Sequence, residues 1–183
     1  MDPETVQPAR RVASEKITLA VYLKGQESWT LELLASTNLT RLAKLLCDRA
    51  VAAVRPEDYE VGSHMWTFVV GQADDAGRTQ WERSQYSSSF GDYAGPGDRD
   101  PAAARLETLR LSTSSRLRFD YDMGDTCRVA LKVLRVAEPA RNDGLPRWTP
   151  SGSGRNEVLR GTGEWRRLMD SVPAHGSLSL IHI

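Results

Sequence analysis

The sequence predicts an α+β fold: a single mixed or antiparallel sheet of about five to six strands with two helices, in the order ββαβ(β)αββ. Three observations predict it. Strict apolar alternation begins at Lys16, as Ile17, Leu19, Val21 and Leu23 set against Thr18, Ala20, Tyr22 and Lys24. A three-and-four apolar spacing follows Asn38. A hairpin pattern then runs from Leu117 to Val136 around Asp122-Met123-Gly124-Asp125.

The 183 residues, 40% hydrophobic and 26% charged, have the size and composition of one domain with one core. Residues 1–15 are polar and hold Pro3 and Pro8, so they are expected to form a disordered arm. After the first strand, Gly25-Gln26-Glu27-Ser28 makes a turn, and Trp29, Leu31 and Leu33 continue the period of two in a second, antiparallel strand. Asn38 caps a helix whose inward face is Leu39, Leu42, Ala43, Leu46, Ala50 and Ala53, and Pro56 ends it. A third strand spans Met65 to Val70, with Trp66, Phe68 and Val70 on one side.

Gly71 to Asp100 reads as a long loop holding one short strand near Trp81 to Tyr86. Asp100-Pro101 has the form of a helix start, with a carboxylate cap and Pro at the first helical position, and predicts a second helix to about Leu111. In the hairpin that follows, Leu117, Phe119 and Tyr121 take one side and Arg116, Arg118 and Asp120 the other, which is assigned to solvent. The ordered domain is expected to span 16–137. Residues 138–183, rich in Pro, Gly, Ser and Arg, are expected to be a poorly ordered tail with at most a helical turn or two at Glu164 to Asp170. The ending Ser179-Leu180-Ile181-His182-Ile183 is similar to a conceptual translation that recurs at the ends of transcript-derived gene models, and is expected not to be native.

Charge and cysteine content narrow the function classes. The 24 basic and 24 acidic side chains cancel, so no whole-molecule field draws the chain to phosphate backbones or anionic membranes. Cys47 and Cys127 stand apart with no Cys or His at ligand spacing, and are read as buried, reduced thiols. No apolar run reaches the ~18 residues of a membrane span, and the acidic start lacks the form of a signal peptide. The expected location is therefore intracellular, in the cytoplasm, without a membrane partner.

The run Phe119-Asp120-Tyr121-Asp122-Met123-Gly124-Asp125 resembles the hallmark of the plasmid pRiA4b ORF-3-like domain family, some of whose members are passengers of insertion elements. Trp29, Leu39, Leu42, His64 and Phe68 match that family in the same order, and the likeness spans about Lys16 to Val136. The resemblance implies an α+β fold and brings no chemistry with it. The chain departs from the family pattern at Cys127 and Val129, where members continue with Trp and His, and at Trp66, where a second His is usual. A shared polar site built on those histidines is therefore not expected here.

Three functions fit the residues. The first is a non-catalytic binding module for an unknown protein or small ligand, with Trp81, Tyr86, Tyr93 and Tyr121 as binding residues and Trp29 and Trp66 assigned to the core. The second is a metal-dependent enzyme using Asp122, Asp125 and His64, with Asp120 nearby. Against it, Asp residues flanking a Gly in a tight turn serve the turn itself. The third is nucleic-acid binding through Arg147, Arg155, Arg160, Arg166 and Arg167 with Trp148 and Trp165, a set diluted by Asp143, Glu157, Glu164 and Asp170. No phosphate-binding Gly loop, nucleophile elbow or His-Glu-x-x-His pair occurs. The binding module is the preferred reading, and no cofactor is expected.

Overall fold

A computed structural model describes residues 15–23, 28–56, 64–92, 94–122, 127–139 and 144–151. They form one eight-stranded sheet in the order β5-β4-β3-β6-β7-β1-β2-β8. The strands are β1 (Lys16–Leu23), β2 (Trp29–Leu34), β3 (Trp66–Ala73), β4 (Thr79–Ser87), β5 (Asp98–Arg99), β6 (Ser115–Tyr121), β7 (Cys127–Ala137) and β8 (Arg147–Pro150). Neighbours are antiparallel except β4 and β5, which are parallel.

Helix α1 (Leu39–Leu46) continues into one wider-wound turn, Cys47–Val51. Asn38 caps it through a side-chain oxygen that accepts from Arg41 N at 2.8 Å. Its buried face, Leu39, Leu42, Ala43 and Leu46, joins one core with Leu19, Val21, Leu31, Phe68, Leu117, Phe119, Tyr121, Val129 and Leu131. The alternation that marks each strand therefore sorts its side chains onto the α1 side of the sheet, as period two requires. Aromatic rings occupy the centre of that core: Phe68 and Phe119 lie 4.8 Å apart between centroids, with Trp66 about them.

This architecture corrects the expected fold class. Among the described residues the fold is mostly sheet, with eight strands and one helical segment, where five to six strands and two helices were expected. The second helix is the clearest difference. After Pro101 the chain stays extended or turned, and only Leu106–Leu109 winds, as a short 3-10 turn ending at Arg110 with φ 51. The reason is competition for backbone groups. Asp100 accepts from Ala102 N at 2.8 Å, so it closes a local turn. The carbonyl of Ala104 then accepts from Leu39 N, while the amides of Leu106 and Glu107 donate to Thr37 and Ala35. Groups that would make intrahelical bonds instead tie this segment to the entrance of α1.

The extra strands have tertiary causes as well. In the expected long loop, β4 is nine residues long and pairs with β3 across the turn Asp74 to Arg78, where Gly77 takes φ 73. In the expected tail, β8 pairs with β2, and Glu32 accepts from Arg147 Nε at 2.8 Å. The hairpin of β6 and β7 pairs in register from Arg116↔Lys132 to Tyr121↔Cys127, while its turn residues and the stretch Glu164 to Asp170 lie outside the described residues. No helix among the described residues is long and apolar enough to cross a membrane.

Candidate functional site

Two clusters of polar side chains stand on this frame. One is at the hairpin end of the sheet. Pairing between β3 and β6 sets Trp66 opposite Tyr121, and the next residue, Asp122, donates its amide to Met65 O at 2.9 Å. That closure leaves Asp122 at φ 58, a left-handed conformation that Asp tolerates better than most residues. Its Oδ2 accepts from Arg55 Nη1 at 2.8 Å, the guanidinium arriving just beyond the α1 segment. His64 Nδ1 lies 3.8 Å from the same oxygen, and its ring stands edge-on to Tyr121 at 5.5 Å.

His64 and Asp122 therefore do come together, as the hairpin reading requires, but with Arg55 as the carboxylate's partner. Asp125 lies outside the described residues. Among the described residues, no group of three or more His, Cys, Asp or Glu side chains converges to hold a metal ion. Cys127, across from Tyr121, and Cys47 are both buried and unbridged. Burial pushes the Cys47 thiol up to about 12 and raises that of Cys127, so neither supplies a thiolate near neutral pH.

The second cluster lies on the sheet face opposite α1. There the alternation of β6 and β7 places Arg116, Arg118, Asp120, Arg128, Ala130 and Lys132, and β1 adds Ala20 and Tyr22. Asp120 was assigned to solvent, but it is 6% exposed, between Arg118 Nε at 2.7 Å and Arg128 Nε at 2.8 Å. Long side chains lie across this face and cover its centre, which alternation alone does not foresee. Arg128 donates a hydrogen bond to Asp120, whereas the Arg118 Nε–H is not aimed at it, so that contact is an ion pair only. Arg118 is 1% exposed, and burial lowers its pKa from the usual guanidinium value. Its guanidinium carbon sits 5.8 Å from the centroid of the Trp81 ring.

Trp81 reaches Arg118 because the residue beside it on β3 is a glycine, Gly71. Gly71 pairs with Trp81 on one side and Arg116 on the other. A Cβ there would meet Trp81 Cε3 at 2.8 Å and Gln80 O at 2.9 Å. The register of β3 and β4 shifts at this point, and the half-buried ring packs with Tyr22 against Ala20 and Ala130.

The remaining sequence candidates scatter. Tyr86, expected to bind, is in the core, with its hydroxyl 3.4 Å from Arg99 Nη1, and Tyr121 is fully buried. Tyr93, Arg155, Arg160, Arg166 and Arg167 lie outside the described residues, and Arg147 is engaged with Glu32. Trp29 and Trp66 are buried in the core. The residues that sequence reasoning passed over are Arg116, Arg118, Arg128, Lys132 and Tyr22. Their signal was present as the polar half of two alternating strands, but nothing in it marks a guanidinium for burial.

No protein-family model matches the sequence, and the search of curated proteins gave no match. Among solved structures the chain is similar to a protein of unknown function from Methanosarcina mazei Go1, with 21% identity, a TM-score of 0.50, and 87% of this chain and 88% of that one covered. That likeness concerns the fold alone.

Proposed function

We propose that this domain is a binding module, without catalysis of its own, that takes an anionic partner on the sheet face opposite α1. The supporting observation is the charge balance on β6 and β7: among the described residues of these two strands, Arg116, Arg118, Arg128 and Lys132 on that face accompany one carboxylate, Asp120, while Glu32 on β2 is matched by Lys16 and Arg147. The chain as a whole is neutral, so a local cationic excess is what gives an anion a preferred place on it. Tyr22 and Trp81 add half-buried aromatic surface beside the charges, a pairing suited to anionic ligands with a flat or apolar part.

Heparin, a polyanion of no particular sequence, tests the reading. Retention at about 50 mM salt is expected, because few contacts suffice when screening is weak. Lys132→Glu combined with Arg128→Gln should elute at lower salt, while Arg155→Gln with Arg160→Gln should elute with the wild type. Absence of retention refutes the proposal. Retention lost only in the second pair moves binding to the C-terminal arginines, the nucleic-acid reading of the sequence.

A further inference from the structure

The face opposite α1 holds polar atoms that the fold leaves unused. Among the described residues, Arg118 Nη1, Trp81 Nε1 and Gln85 Oε1 are buried without a hydrogen-bond partner, as is Arg118 Nε, which is occupied by its ion pair with Asp120. Folded proteins pair such atoms with few exceptions, so three in one place call for an explanation. They are neighbours by register: Gln85 and Arg118 pair with Val69 from its two sides, and Trp81 pairs with Gly71, two residues further along β3.

The chemistry of the three atoms defines their complement. Arg118 contributes a cationic donor, Trp81 a neutral donor and Gln85 an acceptor. The Gln85 amide cannot turn to offer its nitrogen, because Nε2 already donates to Asp98 Oδ1 at 2.9 Å. A group that accepts two hydrogen bonds, carries negative charge and donates one matches this set. Hydrogen phosphate and singly protonated phosphate monoesters have that pattern; carboxylates and sulfate have no proton to give Gln85.

Resting on the binding face proposed above, we infer that Arg118, Trp81 and Gln85 form a seat for one partly protonated tetrahedral oxyanion, the phosphate of a bound ligand. Entry is at Trp81. Its ring covers Arg118, and since no described residue hydrogen-bonds its Nε1, swinging it aside breaks no hydrogen bond among them. Gly71 leaves the room that the ring needs on β3.

The indole resonances of the full chain, with that of Trp81 assigned through Trp81→Phe, report occupancy by NMR. Titration with inorganic phosphate should give a saturable shift of the Trp81 Nε1–H signal. Sulfate and acetate at matched ionic strength should bind at least about tenfold more weakly, the worth of roughly one hydrogen bond to a charged group. Gln85→Met should abolish the preference for phosphate, and Arg118→Met the shift itself. Arg118→Met also leaves Asp120 to Arg128 alone, so Gln85→Met is the variant that decides if Arg118→Met does not fold. A phosphate shift that survives Gln85→Met with its preference intact overturns the seat. No saturable shift, with heparin retention kept, overturns it too, leaves water as the occupant of the three atoms, and spares the binding face. Loss of both responses sinks the two together.

Discussion

Replacing Gly71 with alanine is the sharpest probe of how this sheet holds its polar face. The new Cβ would stand 2.7 Å from Thr79 Cγ2, 2.8 Å from Trp81 Cε3 and 2.9 Å from Gln80 O. The first two are side-chain atoms that can turn away, but the third is backbone. Relief at Gln80 therefore moves β4 off β3 by a few tenths of an ångström, just where their register shifts. Overpacking of this kind costs about 1–3 kcal/mol. For a chain of this length each kcal/mol lowers the melting temperature by about 2–4 °C. Thermal and urea unfolding would measure the loss, and the Trp81 indole resonance would report displacement of the ring. Gly95→Ala is the control, since its Cβ would meet only Asp98 Oδ2, at an ordinary 3.7 Å. Its effect should stay within about 0.5 kcal/mol. If Gly71→Ala is as stable as Gly95→Ala and leaves the indole signal in place, the close seating of Trp81 on β3 is wrong.

Three other outcomes follow from the same geometry. Asp122 holds φ 58, so Asp122→Ala should be less stable than Asp122→Gly by about 1–2 kcal/mol, although both remove the carboxylate facing Arg55; equal urea midpoints would show that the backbone there is relaxed. The Arg147 guanidinium beside Glu32, with Lys16 at 3.3 Å, holds that carboxyl below its usual 4.5 despite partial burial. Its contribution is then full above about pH 4.5 and is lost as pH falls through the depressed value. Glu32→Gln should cost about 0.5–1 kcal/mol near neutral pH, with the gap closing in acid and amide exchange in β8 faster at neutral pH; a gap that widens in acid refutes the pairing. Finally, Cys47 and Cys127 should react with a thiol reagent in the native state only as fast as the protein opens, and at full rate in urea, because burial withholds the thiolate of each; rapid native labelling of either contradicts its placement.

What was legible in the chain was whatever depends on near neighbours. Period two in β1, β2, β3, β6 and β7 and the three-and-four spacing of α1 were readable because each of those elements turns one apolar face to a common core, and packing against that core imposes the period. The polar side of the β6–β7 hairpin was equally visible at Arg116, Arg118 and Asp120, and so were the two buried thiols. Asp122, Asp125 and His64 were singled out together; His64 and Asp122 stand 3.8 Å apart with Arg55 on the carboxylate at 2.8 Å, and Asp125 lies outside the described residues. The binding-module reading took Tyr86 and Tyr121 as binding residues because aromatics dominate such surfaces, whereas the sheet draws both into its core.

Long-range pairing made the remaining decisions. Strand β4 alternates weakly, since most of its residues are only partly buried, and it is a strand because β3 lies beside it. Strand β8 exists because β2 offers a free edge and Glu32 a counter-charge to Arg147, 115 positions away. The segment after Pro101 has the local form of a helix start, but the chain around the entrance of α1 takes its hydrogen-bonding groups first. The sequence by itself determined which strands and which helix face carry the core, because those patterns report burial residue by residue. Only the tertiary structure decided that Asp120 is enclosed by two arginines, and that Arg118 meets Trp81 over a glycine. Those contacts join four strands whose adjacency no local spacing encodes.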